Sequence, residues 1–185
     1  GLHYFGSSSF RLWQLLTYQF LHSTSSIDHV LSNMFALFMF GSSIEAYWGS
    51  KRFLLYYILC GISAGLVQEL SWYYELREVV QYASVQLPTG IIPIDGFLSM
   101  LNTVGASGAV FGILLASGVL FPNSYILVGF VFPLKMKYFV FLYGAFELFA
   151  GVYNTWGNVA HFAHLGGMLG GALLIYLWRK KGVIQ

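Results

Sequence analysis

Residues 159–178 read VAHFAHLGGMLGGALLIYLW, twenty positions without a Lys, Arg, Asp or Glu. At a rise of about 1.5 Å per residue, such a helix crosses the roughly 30 Å hydrocarbon core of a bilayer. Working backwards from it, four more apolar helical stretches appear at about 137–152, 106–120, 53–72 and 29–48, the first two of these being short. Alternating apolar and polar strands do not recur, so helices rather than a barrel are expected to satisfy the backbone within lipid. The expected fold is all-α, a polytopic membrane helix bundle with five spans in this chain.

Composition agrees. Of the 185 residues, 57% are hydrophobic and 9% charged, with a mean hydropathy of +0.68, against roughly 25% charged in a soluble domain. The net charge of +2 is too small to suggest a nucleic-acid partner. Its distribution carries more information. If five helices alternate in direction, Lys51, Arg52, Lys135, Lys137, Arg179, Lys180 and Lys181 share one side, leaving Arg11 and Arg77 on the other. The basic side is expected to be cytoplasmic, together with the carboxyl terminus. One membrane domain is expected over 1–185, with 1–28, 73–105 and 153–158 external and 179–185 a cytoplasmic tail. No cleavable signal peptide is visible in 1–10. The single Cys60 reads as a small buried hydrophobe.

Outside the spans, Phe10 to Leu21 mixes aromatic and polar residues, which suits a segment lying at the membrane interface. Residues 23–26 form a polar link, and Asp28 is a candidate cap for the first span. The connection from 73 to 104 is too long for a tight turn; a short helix is expected over 73–82 and irregular chain over 87–97. Pro122, Asn123 and Pro133 bracket the connection before the fourth span.

Two motifs carry candidate chemistry. Ser107 lies in Gly105-Ala106-Ser107-Gly108 at the start of an apolar run, and His164 in Ala163-His164-Leu165-Gly166-Gly167 within another. A serine is a weak nucleophile until a base takes its proton, and serines in membrane helices commonly bond a backbone carbonyl instead. The setting favours chemistry. Glycines beside Ser107 permit close backbone approach, and a helix N-terminus offers free N–H groups to an oxyanion. The pattern Gly-x-Ser-Gly is not the Gly-x-Ser-x-Gly elbow of soluble α/β-hydrolases.

Gly108 and Gly112 smooth one helix; Gly167 and Gly171, on the face of His164, smooth the other, with Gly166 and Gly170 widening the strip. Two such helices can bring hydroxyl and imidazole together, and Phe111, one turn from Ser107, can stack on the ring. The plainer alternative is that the glycines only pack and His164 only hydrogen-bonds. His161 and His164 invite a metal or haem reading, but the zincin spacing is absent and no Cys or acidic ligand accompanies them, so no metal or cofactor is expected. His29 and Asn33 share a helical face and could donate to an oxyanion, or simply cap and bond neighbouring backbone.

Taken together these residues resemble the rhomboid intramembrane serine proteases. The resemblance is carried by Trp13-Gln14-Leu15-Leu16-Thr17, Phe20-Leu21-His22, His29-x-x-x-Asn33, Glu45-x-x-x-Gly49-Ser50 and the Ser107 and His164 blocks. It implies a serine endopeptidase with a Ser107–His164 dyad and no aspartate, and an oxyanion hole built from His29, Asn33 and the Ser107 amide. It gives Gly105, Gly108 and Phe111 supporting places and His161 a non-catalytic one, and leaves Glu147 as a structural or interfacial contact. Substrates would be single transmembrane helices, with 137–152 as gate and 153–158 as cap over a water-filled cavity. A bacterial inner membrane is implied, and the oligomeric state is left open. The family core has six spans, and the chain begins at the loop after the first, so either a fragment or a chain whose first helix was removed is expected. Trp13-Gln14 departs from the Trp-Arg of some bacterial members. The rival from another class is an inactive rhomboid-like membrane chaperone or dislocation factor, which would lack the serine or the histidine; a small transporter would show paired half-helices.

Overall fold

A computed structural model describes residues 1–23, 27–129, 131–153 and 160–184. Among these, seven α-helices account for most of the chain: α1 (Gln14–Thr17), α2 (Ile27–Trp48), α3 (Ser50–Leu76), α4 (Ile94–Met100), α5 (Ser107–Leu120), α6 (Met136–Val152) and α7 (His161–Lys180). Five of them match the five apolar stretches, so the chain is a polytopic helical bundle as expected. By length and composition α2, α3 and α7 can each cross a membrane.

The helices are not equivalent. Helix α5 is enclosed by its neighbours, with Ile113 and Ala116 at 0% exposure, as expected for a helix apolar on every side. On the flanks, Phe38 of α2 is 75% and Phe141 of α6 72% exposed, apolar faces that suit lipid rather than water. Helix α5 has only 14 residues, about 21 Å at 1.5 Å each, short of the roughly 30 Å core. Beside helices of 22 and 27 residues, at least one end of α5 therefore stops below the level its neighbours reach.

Small residues set the packing around α5. A methyl on Gly167 of α7 would overlap the carbonyl oxygen of Gly108, and one on Gly112 would meet the side chain of Cys60 and lie 3.0 Å from the Gly167 carbonyl oxygen. Gly166 and Gly170 do not widen this strip. They face α3, where a methyl would press on Val67 and Ser63. Helix α7 is thus wedged between α3 and α5. Hydrogen bonds cross the seams: Tyr56 Oη donates to the Gly112 carbonyl (3.0 Å) and Ser63 Oγ to the Gly166 carbonyl (2.8 Å), the close contact that small residues permit in lipid. Cys60 is fully buried, as expected.

Among the described residues there are also three short antiparallel pairs: β1 (Leu2–His3) with β4 (Asn102–Thr103), β2 (Ser84–Leu87) with β3 (Gly90–Pro93), and β5 (Tyr125–Val128) with β6 (Phe132–Lys135). They correct the loop expectations. Residues 87–97 are not irregular: a two-residue turn at Pro88-Thr89 closes the β2–β3 hairpin and α4 follows directly. Val85 and Leu87 turn inward while Ser84 and Gln86 are exposed, the period-two signature of a strand. Nor is 73–82 a separate helix, since α3 continues to Leu76 and only a 3₁₀ turn at Val79–Gln81 follows.

Asp28 stands within the first turn of α2 rather than at its cap, where its charge still complements the helix dipole. In the first loop, Leu12, Trp13 and Phe20 are exposed as an interfacial segment requires, but Tyr18 and Gln19 turn inward. Leu2, Tyr4, Tyr18, Trp72, Leu76 and Leu98 form a second small core that joins the opening segment to the 73–105 connection. Residues 24–26 and 154–159, which include most of the polar link and of the expected cap, lie outside the described residues.

Candidate active site

Ser107 is the first residue of α5, so its backbone N–H has no carbonyl one turn earlier to bond within the helix. The chain reaches it through Gly105, whose φ is +127° and whose added Cβ would lie 2.9 Å from His29 Cε1 and Nε2. Glycine is required there on both counts. The Gly105 N–H donates to the Tyr18 carbonyl (3.1 Å), and Tyr18 Oη donates to the Gly61 carbonyl (2.7 Å). Burial pushes the Tyr18 phenol well above its usual range, so it stays a neutral donor.

From α7, His164 brings Nε2 to 2.8 Å from Ser107 Oγ. Its ring lies against Phe111 with centroids 4.2 Å apart and planes inclined by 7°, a stacked contact that restrains rotation of the imidazole. The other ring nitrogen, Nδ1, is 2.9 Å from Glu147 Oε2, and His161 Nδ1 is 2.7 Å from the same oxygen. Glu147 is 3% exposed.

A carboxylate only accepts, so both imidazoles donate Nδ1–H to it. For neutral His164 that leaves Nε2 bare and able to accept the Ser107 hydroxyl proton. The same three residues offer donor atoms within 4.8 Å of one another. Their contacts at 2.7 and 2.9 Å are hydrogen-bond lengths, shorter than the about 3.3 Å between two ligands on a tetrahedral ion with bonds of 2.0–2.1 Å.

Ser107 and His164 face a cavity of about 570 Å³, also lined by His29, Asn33, Gly105 and Phe111. Its size is that of a small-molecule or peptide-segment site. His29 Nδ1 accepts the Ser23 N–H at 3.2 Å, which places the proton of a neutral ring on Nε2, on the side of the ring that faces the Gly105 turn. Asn33 donates one amide hydrogen to the His29 carbonyl (2.7 Å) and keeps a second.

The structure thus brings Ser107, His164, Phe111, His29, Asn33, Gly105 and Gly108 to one cavity and sets His161 behind His164. Glu147 is the residue that sequence reasoning set aside as a structural contact. Its signal was present: it is the lone acid in an apolar helix of 17 residues, and ionisable groups at that depth usually have a partner or a function.

Fold and site define a class: a polytopic helical membrane protein holding a serine and a histidine in hydrogen-bond contact beside a cavity. A sequence model of the Rhomboid domain matches residues 9–181. The chain belongs to the rhomboid family. It is 32% identical to "Rhomboid protein 1, mitochondrial" of Saccharomyces cerevisiae over 85% of this chain and 39% of that protein. It is 28% identical to "Rhomboid protease AarA" of Providencia stuartii over 92% of this chain and 59% of that one. It is 30% identical to "Putative rhomboid protease YdcA" of Bacillus subtilis over 91% of this chain and 68% of that one. The chain thus spans less than two thirds of the yeast and Providencia proteins. Mitochondrial and chloroplastic relatives also match, so likeness alone does not assign a bacterial membrane.

Proposed function

We propose that the chain is an intramembrane serine endopeptidase acting on transmembrane-helix substrates through Ser107 and His164, without metal or cofactor. The observation that carries this reading is the 2.8 Å contact between His164 Nε2 and Ser107 Oγ, placed at a helix N-terminus on the wall of a cavity.

His164 takes the hydroxyl proton as Ser107 Oγ bonds the scissile carbonyl carbon, then returns it to the leaving amine as the C–N bond breaks. Water repeats the cycle on the acyl-enzyme. In this reading the Ser107 N–H, His29 Nε2–H and the second Asn33 amide hydrogen receive the negative charge that develops on the carbonyl oxygen. A helical peptide bond is shielded by its own ladder, so a substrate must unwind locally, and small or helix-weakening residues are expected at the cleavage site.

The chain acts as one membrane domain, with the site opening toward 1–28 and 73–105 and the basic ends and tail, 179–185, on the cytoplasmic side. An inactive chaperone or dislocation factor would be expected to lack one of the pair; both are present here and in contact.

The test is cleavage of a model transmembrane substrate by the purified protein. Ser107→Ala and His164→Ala are each expected to lower kcat by at least about 10³-fold. Cleavage that survives either substitution overturns the assignment.

A further inference from the structure

We propose that Glu147 is a positioning residue for the reaction, held by His161 and aligning His164, so that in this member a buried carboxylate orients the base of the Ser107–His164 pair. The proposal rests on the protease reading above.

Three contacts lie in sequence: Ser107 Oγ to His164 Nε2 at 2.8 Å, His164 Nδ1 to Glu147 Oε2 at 2.9 Å, and His161 Nδ1 to the same oxygen at 2.7 Å. The first two engage opposite nitrogens of one ring, so the carboxylate fixes which nitrogen is bare. Without an acceptor at Nδ1 the neutral ring is free to place its proton on Nε2, where it cannot take one from serine. His161 supplies what a lone carboxylate lacks. Its ring stands at 87° to that of His164, so the two approach Oε2 from different directions and restrict the carboxylate to one setting.

Burial argues for use as well as packing. Glu147 is the one acidic residue of a helix rich in aromatic and aliphatic side chains, and a 3%-exposed carboxylate is costly to keep in a membrane-embedded bundle. His161 alone would tie α6 to α7. The second acceptor contact, on the ring that touches Ser107, goes beyond tying.

In the reaction the Oγ–H proton moves to Nε2 as the Oγ–C bond forms, giving an imidazolium that Glu147 faces across the unchanged Nδ1–H. Nε2 then passes that proton to the amine as it leaves. Glu147 neither gains nor loses a proton, and it touches no substrate atom.

Two measurements test this. In the resting protein, labelled with ¹⁵N-histidine, His164 should show a protonated Nδ1 and a bare Nε2, whereas Glu147→Gln should lose that single tautomer. In cleavage assays Glu147→Gln should lower kcat by roughly 100-fold with KM within about twofold, and Glu147→Asp should recover part of the loss. Resting His164 protonated on Nε2 overturns the proposal whether or not the variant folds. Glu147→Gln cleaving within about twofold of the unsubstituted protein, while Ser107→Ala is inactive, overturns it and leaves the protease reading intact. Cleavage persisting in Ser107→Ala removes both.

Discussion

His164 stands where two helix contacts meet, and the two are built differently. Between α5 and α7 the contact is shape: Gly167 lies against the Gly108 backbone so closely that one methyl has no room. Between α6 and α7 it is a polar cluster, Glu147 with His161 and His164, and one glycine of α6, Gly144, looks onto the flexible end of Met168 at 3.2 Å. A backbone-on-backbone seam cannot give, and it fixes the distance between hydroxyl and imidazole. A side-chain cluster on a lipid-facing helix can be rebuilt, and it fixes only which way the ring and its proton point. The contrast separates what holds the fold from what prepares the chemistry.

Breaking the rigid seam should cost most. Gly167→Ala places its methyl against a carbonyl oxygen that no rotamer change can move, so stability should fall by about 3 kcal/mol, read as thermal unfolding in detergent. Stability within about 0.5 kcal/mol of the parent would show that the seam adjusts after all.

Gly105→Ala should act on the site as well as the fold. The +127° φ and the 2.9 Å approach to His29 both penalise a side chain by an amount on the order of 1–3 kcal/mol. Cleavage by the folded protein should drop about 10-fold as the turn before Ser107 shifts, beyond the lowered unfolding midpoint that this penalty brings. Loss of folding without a separate loss of rate in the surviving protein would contradict this.

Gly144→Ala tests the softer contact. Because its neighbour is the thioether end of Met168, and a mid-helix glycine carries its own entropic cost, stability should stay within about 0.5 kcal/mol. A loss matching that of Gly167→Ala would erase the distinction.

The smallest effect lies far from both seams, where the exposed Asp95 carboxylate accepts from the Ser8 N–H (2.9 Å) and hydroxyl (2.7 Å). These bonds hold its carboxyl below the usual carboxylate range. With the folded value lowered, the contribution is present above the unfolded value near 3.9 and fades as pH falls through the folded one. Protection of the Ser8 amide against exchange, taken relative to its intrinsic rate, should therefore fall only below about pH 4, and Asp95→Asn should remove that dependence; an unchanged profile in the variant assigns it elsewhere.

Sequence legibility followed the same division. The spans were readable within a few residues because each is a long apolar run, and the stacking of Phe111 on His164 followed from one helical turn of spacing. Gly167 was readable as a packing position because small residues in lipid-exposed helices have few other uses. The facing of Gly166 and Gly170 toward α3 was not, since a strip of glycines carries no label for its partner. Short hairpins such as β2–β3 escaped because four-residue strands with a Pro-Thr turn give little periodicity to count. Glu147 escaped for a different reason. Nothing near it in sequence announces a partner; its two imidazoles lie 14 and 17 residues away, across a connection that only the fold closes.

The central claim is that the imidazole of His164 activates the hydroxyl of Ser107. Treating the purified protein with a fluorophosphonate and mapping the adduct by mass spectrometry tests it without choosing a substrate. Labelling should fall on Ser107 and be lost in His164→Ala, whereas a label on another residue, or undiminished labelling of Ser107 without His164, would contradict the account.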